Sequence, residues 1–145
     1  MTKVLFDTSV LVASLVAAHP SHAAAVRWHD RALRGRIGFL VASHTLAELY
    51  AVLSRLPVSP IITPLLARHL VEQNVGSRAR IVTLGAADYR SVLENVAGLG
   101  LSGGIVYDAL VARAAVKSSA DVLLTLNADH FRRVWPDAGS RIRTP

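Results

Sequence analysis

The chain predicts an α/β fold, a three-layer α/β/α sandwich built on a mainly parallel sheet of four to five strands. Three observations carry this. Short apolar runs at residues 4–6, 37–42, 80–84 and 121–125 are separated by longer stretches whose apolar residues recur at helical spacing. Such alternation implies crossover connections, which lay helices on both faces of a parallel sheet. The 145 residues are 52% hydrophobic, enough to bury the core of one domain spanning residues 1–145.

Val4-Leu5-Phe6 reads as a buried strand with Asp7 at its carboxyl end. An apolar helix follows over residues 9–18, and Pro20-Ser21 separates it from a second helix over 21–33, with Ala24, Trp28 and Ala32 along one face. Arg34-Gly35-Arg36 is a turn, and the alternation of Ile37, Phe39 and Val41 makes 37–42 a strand. Ser43 is placed to cap a helix through residue 56 that turns Leu46, Leu49, Val52 and Leu53 inward. Three prolines mark residues 57–64 as a loop, and Thr63-Pro64 supplies an N-cap and first helical residue for a helix to about Val75.

Residues 80–84 form the third strand, and 86–99 an amphipathic helix with Tyr89, Val92, Leu93 and Val96 aligned. The glycine-rich segment 98–104 matches no phosphate-binding pattern and reads as a flexible connection. Residues 105–117 form a helix apolar nearly all round, hence central. A strand over 121–125, a short helix over 127–134 and a last edge strand at 141–143 complete the chain.

Composition narrows the function. With no cysteine, disulfides and thiolate metal sites are excluded. No apolar stretch is long enough for a membrane span. Residues 9–18 resemble the apolar part of an export signal, but Asp7 interrupts the approach and Lys3 is the lone base before it, so a cytoplasmic location is expected. The net charge is +6, and 14 of the 16 basic residues are arginine, the side chain best matched to phosphate. A basic surface suits a nucleic-acid partner.

Three acids stand out against this background. Asp7, Glu48 and Asp108 each interrupt an apolar run. An ionised carboxylate in such surroundings costs several kcal/mol unless it is paired. Each has a separate ordinary explanation: Asp7 as a helix cap, Glu48 as a solvated helix residue, Asp108 paired with Arg113. A shared cation explains all three at once. Asp7 follows one strand, Glu48 begins the helix after another, and Asn127 lies just beyond a third, so the fold brings them to one rim of the sheet. Hard divalent ions such as Mg²⁺ and Mn²⁺ take carboxylate oxygens. Ions so held serve phosphodiester hydrolysis without a histidine base. Thr8 and Ser9 are placed to hydrogen-bond the carboxylates. The histidines carry less weight. His19, His22 and His29 flank the first helices without ligand spacing, and His44 shares a helix face with Glu48 as an ordinary polar residue or a support to it. A receiver-like regulatory module is disfavoured, because Asp7 stands alone after the first strand and no lysine follows the last.

The segments around Asp7 (VLFDTSVL), Glu48 (TLAEL), Asp108 (YDALVA) and Asn127 (LTLNADHF) resemble, in this order, the PIN-domain nucleases, and among them the VapC-type toxins of type II toxin–antitoxin pairs. The resemblance implies a PIN-like fold and an endoribonuclease dependent on Mg²⁺ or Mn²⁺. It assigns metal binding to Asp7 and Asp108, with Glu48 binding directly or through water. Ser9 and Thr125 become supporting residues. It also implies a homodimer and a VapB-like antitoxin partner, for which exposed apolar surface on the early helices would be suitable. Asn127 stands where the family often has a fourth acid; its carbonyl can coordinate but brings no charge, and Asp129 is a possible substitute. A PIN-type nuclease of RNA processing or DNA handling, or a catalytically inactive metal-binding relative, are the alternatives.

Overall fold

The computed structural model describes residues 1–145. The sheet contains β1 (Lys3–Phe6), β2 (Gly38–Ala42), β3 (Arg80–Val82), β4 (Val122–Leu124) and β5 (Ile142–Arg143) in the spatial order β3-β2-β1-β4-β5. All four pairings are parallel. Leu5 lies opposite Leu40 on one side and Leu123 on the other, so β1 is the central strand.

Strand alternation divides the interior into two cores. Leu5, Leu40, Ala42, Leu123 and Ile142 face one layer; Val4, Phe6, Phe39, Val41, Val122 and Leu124 face the other. The first layer consists of α5 (Ala86–Gly98), α6 (Ile105–Lys117) and α7 (Ala128–Val134), contributing Val92, Val96, Leu110 and Phe131. The second consists of α1 (Thr8–Leu15), α2 (His22–Leu33), α3 (Ser43–Leu53) and α4 (Pro64–Val71), contributing Leu11, Ala25, Leu49 and Ala67. The expected sandwich is therefore present, with five strands and no antiparallel member.

Local departures have local causes. α1 ends at Leu15 rather than residue 18 because Val16 is extended (φ −112°, ψ 102°). Ser43 is not a cap: Ala42 occupies that position in extended backbone, and Ser43 is already helical. Thr63 does cap α4, accepting the Leu66 N–H at 3.1 Å. α4 then widens into a π turn over Glu72–Gly76. In α5, Val92 and Val96 are buried as expected, but Tyr89 and Leu93 face solvent. The buried face of α2 is Ala25, His29 and Ala32, one residue round from the expected Ala24 and Trp28.

His29 is thus a core residue. Its Nε2–H donates to the Asn74 carbonyl at 3.0 Å, and Nδ1 lies 3.0 Å from the Ser14 hydroxyl. The ring packs edge-on against Phe39.

Another polar group orients the helix that carries Asp108. Asp88, at the start of α5, accepts from the Gly85 N–H (2.9 Å), Arg113 Nε (3.0 Å) and Lys117 Nζ (2.7 Å). These donors hold its carboxyl well below the ordinary range, Lys117 most of all. Arg113 and Lys117 both belong to α6, so the ion cluster ties the far half of α6 to α5. It also removes Arg113 as the ordinary partner that would have explained Asp108, because Arg113 is engaged by Asp88 instead.

Candidate active site

β1 lies between β2 and β4: the chain runs from β1 to β2 and β3 on one side, then crosses back to β4 and β5 on the other. This arrangement opens a crevice at the carboxyl ends of β1 and β4. Asp7 is the first residue after β1, and its backbone N–H donates to the Leu124 carbonyl of β4 at 2.9 Å. The residue as a whole is only 5% exposed. Its Oδ2 accepts from Ser9 Oγ (2.7 Å) and Thr125 Oγ1 (2.8 Å). Those hydroxyls are fixed in turn by the N–H groups of Leu126 (3.0 Å) and Asn127 (2.9 Å). The Asp7 side chain does not cap α1. One carboxylate oxygen is therefore anchored, and Oδ1 has no protein donor.

Glu48 reaches the same crevice from α3 and Asp108 from the first turn of α6. Together with Asp7, Thr8, Ser9, His19, Leu126 and Asn127 they line an open cleft of about 590 Å³. Thr8 Oγ1 donates to Glu48 Oε1 at 3.4 Å. Burial pushes Asp108 up to about 6, with Asp7 and then Glu48 adding repulsion against the opposing attraction of His130. Glu48 is also raised, chiefly by burial and then by Asp7, while His44 and the Thr8 hydrogen bond oppose the rise. The three acids sense one another, although the chain separates them by tens of residues.

None of the three pairs with a lysine or arginine; their charged-type neighbours are His44 Nε2, 3.5 Å from Glu48 Oε1, and His130 Nδ1, 3.7 Å from Asp108 Oδ2. In a chain with 16 basic residues, this leaves a local negative charge for a cation to balance. The donors are all hard oxygens, as Mg²⁺ and Mn²⁺ require. The acidic side chains do not close into a preformed cage. They stand around an open cleft, which fits an ion that keeps several waters and shares the remaining positions with a substrate oxygen.

The other expected residues are distributed unequally. Ser9 and Thr125 support Asp7, as described, and Asn127 lines the cleft at the N-cap of α7 without making a capping bond. Asp129 is not brought into the group: its side chain is 98% exposed and lies 3.4 Å from Arg132. Sequence reasoning passed over Tyr107 and His130. Tyr107 stacks on His44, with ring centroids 5.2 Å apart and planes 7° from parallel. The only sequence signal for these side chains was adjacency to the acids, which does not reveal which helices meet.

The fold agrees with comparisons to known proteins. The PIN domain profile matches residues 4–135. Ribonuclease VapC40 of Mycobacterium tuberculosis is 37% identical over 117 residues, covering 81% of each chain. Ribonuclease VapC27 of the same organism is 36% identical over 119 residues, covering 80% of this chain and 79% of its own. Among solved structures, M. tuberculosis VapC20, a sarcin–ricin loop cleaving toxin, superposes with a TM-score of 0.70 at 16% identity, covering 88% of this chain and 92% of its own. Rickettsia felis VapBC2, bound to a promoter DNA fragment, gives 0.63 at 19% identity over 98% of each chain. At these identities the structural matches show a shared fold.

Proposed function

The chain belongs to the PIN domain family, and from that premise we propose that it is a metal-dependent endoribonuclease, the toxin of a type II toxin–antitoxin pair. One observation carries the reading: Asp7, Glu48 and Asp108, remote in sequence, line one cleft without a lysine or arginine partner. The names of the two M. tuberculosis ribonucleases support RNA as the substrate.

In this reading Asp7 and Asp108 hold Mg²⁺ or Mn²⁺, and Glu48 completes the set or orients the attacking water. The ion supplies Lewis acidity toward the phosphate and a water of lowered pKa. Ser9 and Thr125 fix Asp7 so that its free oxygen Oδ1 stays available. Asn127 adds a neutral carbonyl, which leaves three carboxylates as the charge of the site. An RNA substrate places the activity in the cytoplasm. A VapB-like antitoxin is the expected partner, an expectation that the solved VapBC complexes support, and the toxin itself is expected to form a homodimer. Val26, Tyr50, Val52, Leu65 and Leu66, exposed on α2, α3 and α4, offer apolar surface for it.

The test is incubation of the purified protein with total RNA and Mg²⁺ or Mn²⁺, with and without chelator, followed by mapping of cut sites. Cleavage that chelator abolishes is expected. Asp7→Asn and Asp108→Asn should lose it, and Ser9→Ala should lose about 10–100-fold. Full activity in either Asp variant would sink the mechanism.

A further inference from the structure

Resting on the ribonuclease reading, we propose that Tyr107, backed by His44, is a stacking shelf for a nucleobase next to the scissile phosphate. The two rings are nearly parallel, at 7° and 5.2 Å between centroids, so His44 backs part of one face of Tyr107 in an offset stack. Yet Tyr107 is 50% exposed. The chain segment leading into α6 brings no bulky side chain over it: Ser102, Gly103 and Gly104 are exposed, and a Cβ at Gly104 would only just touch the ring, at 4.0 Å from Cδ2. A large aromatic ring supported on one side and open on the other is the surface that an unstacked RNA base needs.

Its position fits this use. Tyr107 immediately precedes Asp108, and His44 lies one helical turn before Glu48, with Nε2 3.5 Å from the Glu48 carboxylate. The shelf is therefore built from the same turns of α3 and α6 that deliver two of the three acids. A base stacked there would place the adjoining phosphate toward the cleft. Because every base presents a π face, the shelf would hold substrate in register without selecting one base. The competing account is a brace that merely joins α3 to α6, and the two differ in what they predict for the substrate.

The experiment uses a short RNA containing a mapped cut site and the same RNA with an abasic nucleotide beside it, cleaved by wild type, Tyr107→Leu and Tyr107→Phe. On the intact RNA, Tyr107→Leu should raise KM about tenfold with kcat changed less than about twofold. Tyr107→Phe, which keeps the ring, should restore KM. The abasic RNA should lose about tenfold with wild type and little further with Tyr107→Leu, because the ring and the base act as one unit. Losses that multiply independently, or a defect confined to kcat and thermal stability, would overturn the shelf while leaving the nuclease intact. A wild type that cleaves no RNA would overturn the ribonuclease reading itself and the shelf with it.

Discussion

Asp108 sits in a conflict that a single atom change should relieve. Burial and two neighbouring carboxylates raise its pKa from 3.8 to about 6. A carboxyl whose pKa is higher folded than unfolded destabilises the fold once it ionises, so stability is lost as pH rises from 3.8 through about 6. In chelator, Asp108→Asn should therefore be more stable than wild type at neutral pH, by about 1–2 kcal/mol, while losing cleavage. Melting curves across this pH range check it: equal stability at pH 7 would show that the acids do not repel one another as argued. The same conflict made these residues legible, since a charge breaking an apolar run is visible in one dimension. Tyr107 and His130 were not legible, because nothing in a polar or aromatic neighbour shows where its ring will lie. Asp129 misled in the opposite way. It is close to Asn127 along the chain, but the onset of α7 at Ala128 turns it outward.

At the scale of elements, α2 and the π turn after α4 meet through His29. Burial lowers its pKa from 6.5, and nearby Arg78 adds to the effect against the Asn74 carbonyl. A histidine kept neutral by folding stabilises fully above its unfolded pKa, and that stability is lost as pH falls below 6.5 toward the folded value. Replacing it with leucine should flatten the decline of Tm as pH falls below 6.5. An unchanged slope would remove His29 as its source. The helix itself was readable, but its buried face was not, because His29 is followed by Asp30 and Arg31 and looks like surface. Ala25, His29 and Ala32 do stand at i, i+4 and i+7, a pattern that an apolar template passes over when the middle member is histidine. Helix ends strayed for a similar reason: the extended turn at Val16 comes from tertiary packing, and its residue type carries no stop signal.

For the whole molecule, the fold class followed from periodicity, whereas the strand order depends on which faces bury each other and could not be read from spacing. Charge acts at this scale too. The chain carries +6, and arginines pair with acids at Arg34, Arg113 and Arg132 only. The others have no carboxylate partner, although Arg31, Arg141 and Arg143 stack on tryptophans, and their uncompensated charge would attract an RNA backbone toward an acidic cleft. RNA affinity should accordingly fall about tenfold or more between roughly 50 and 200 mM salt, and a flat dependence would exclude electrostatic steering. The central position of β1 has one more effect, on timing. β1 gains its second neighbour only when β4 exists, and 118 positions separate Asp7 from the Thr125 hydroxyl that anchors it. Ser9 follows Asp7 at once, but the second hydroxyl that holds it emerges 118 positions later. The carboxylate of Asp7 is therefore fixed in place only after Thr125 has followed it out of the ribosome.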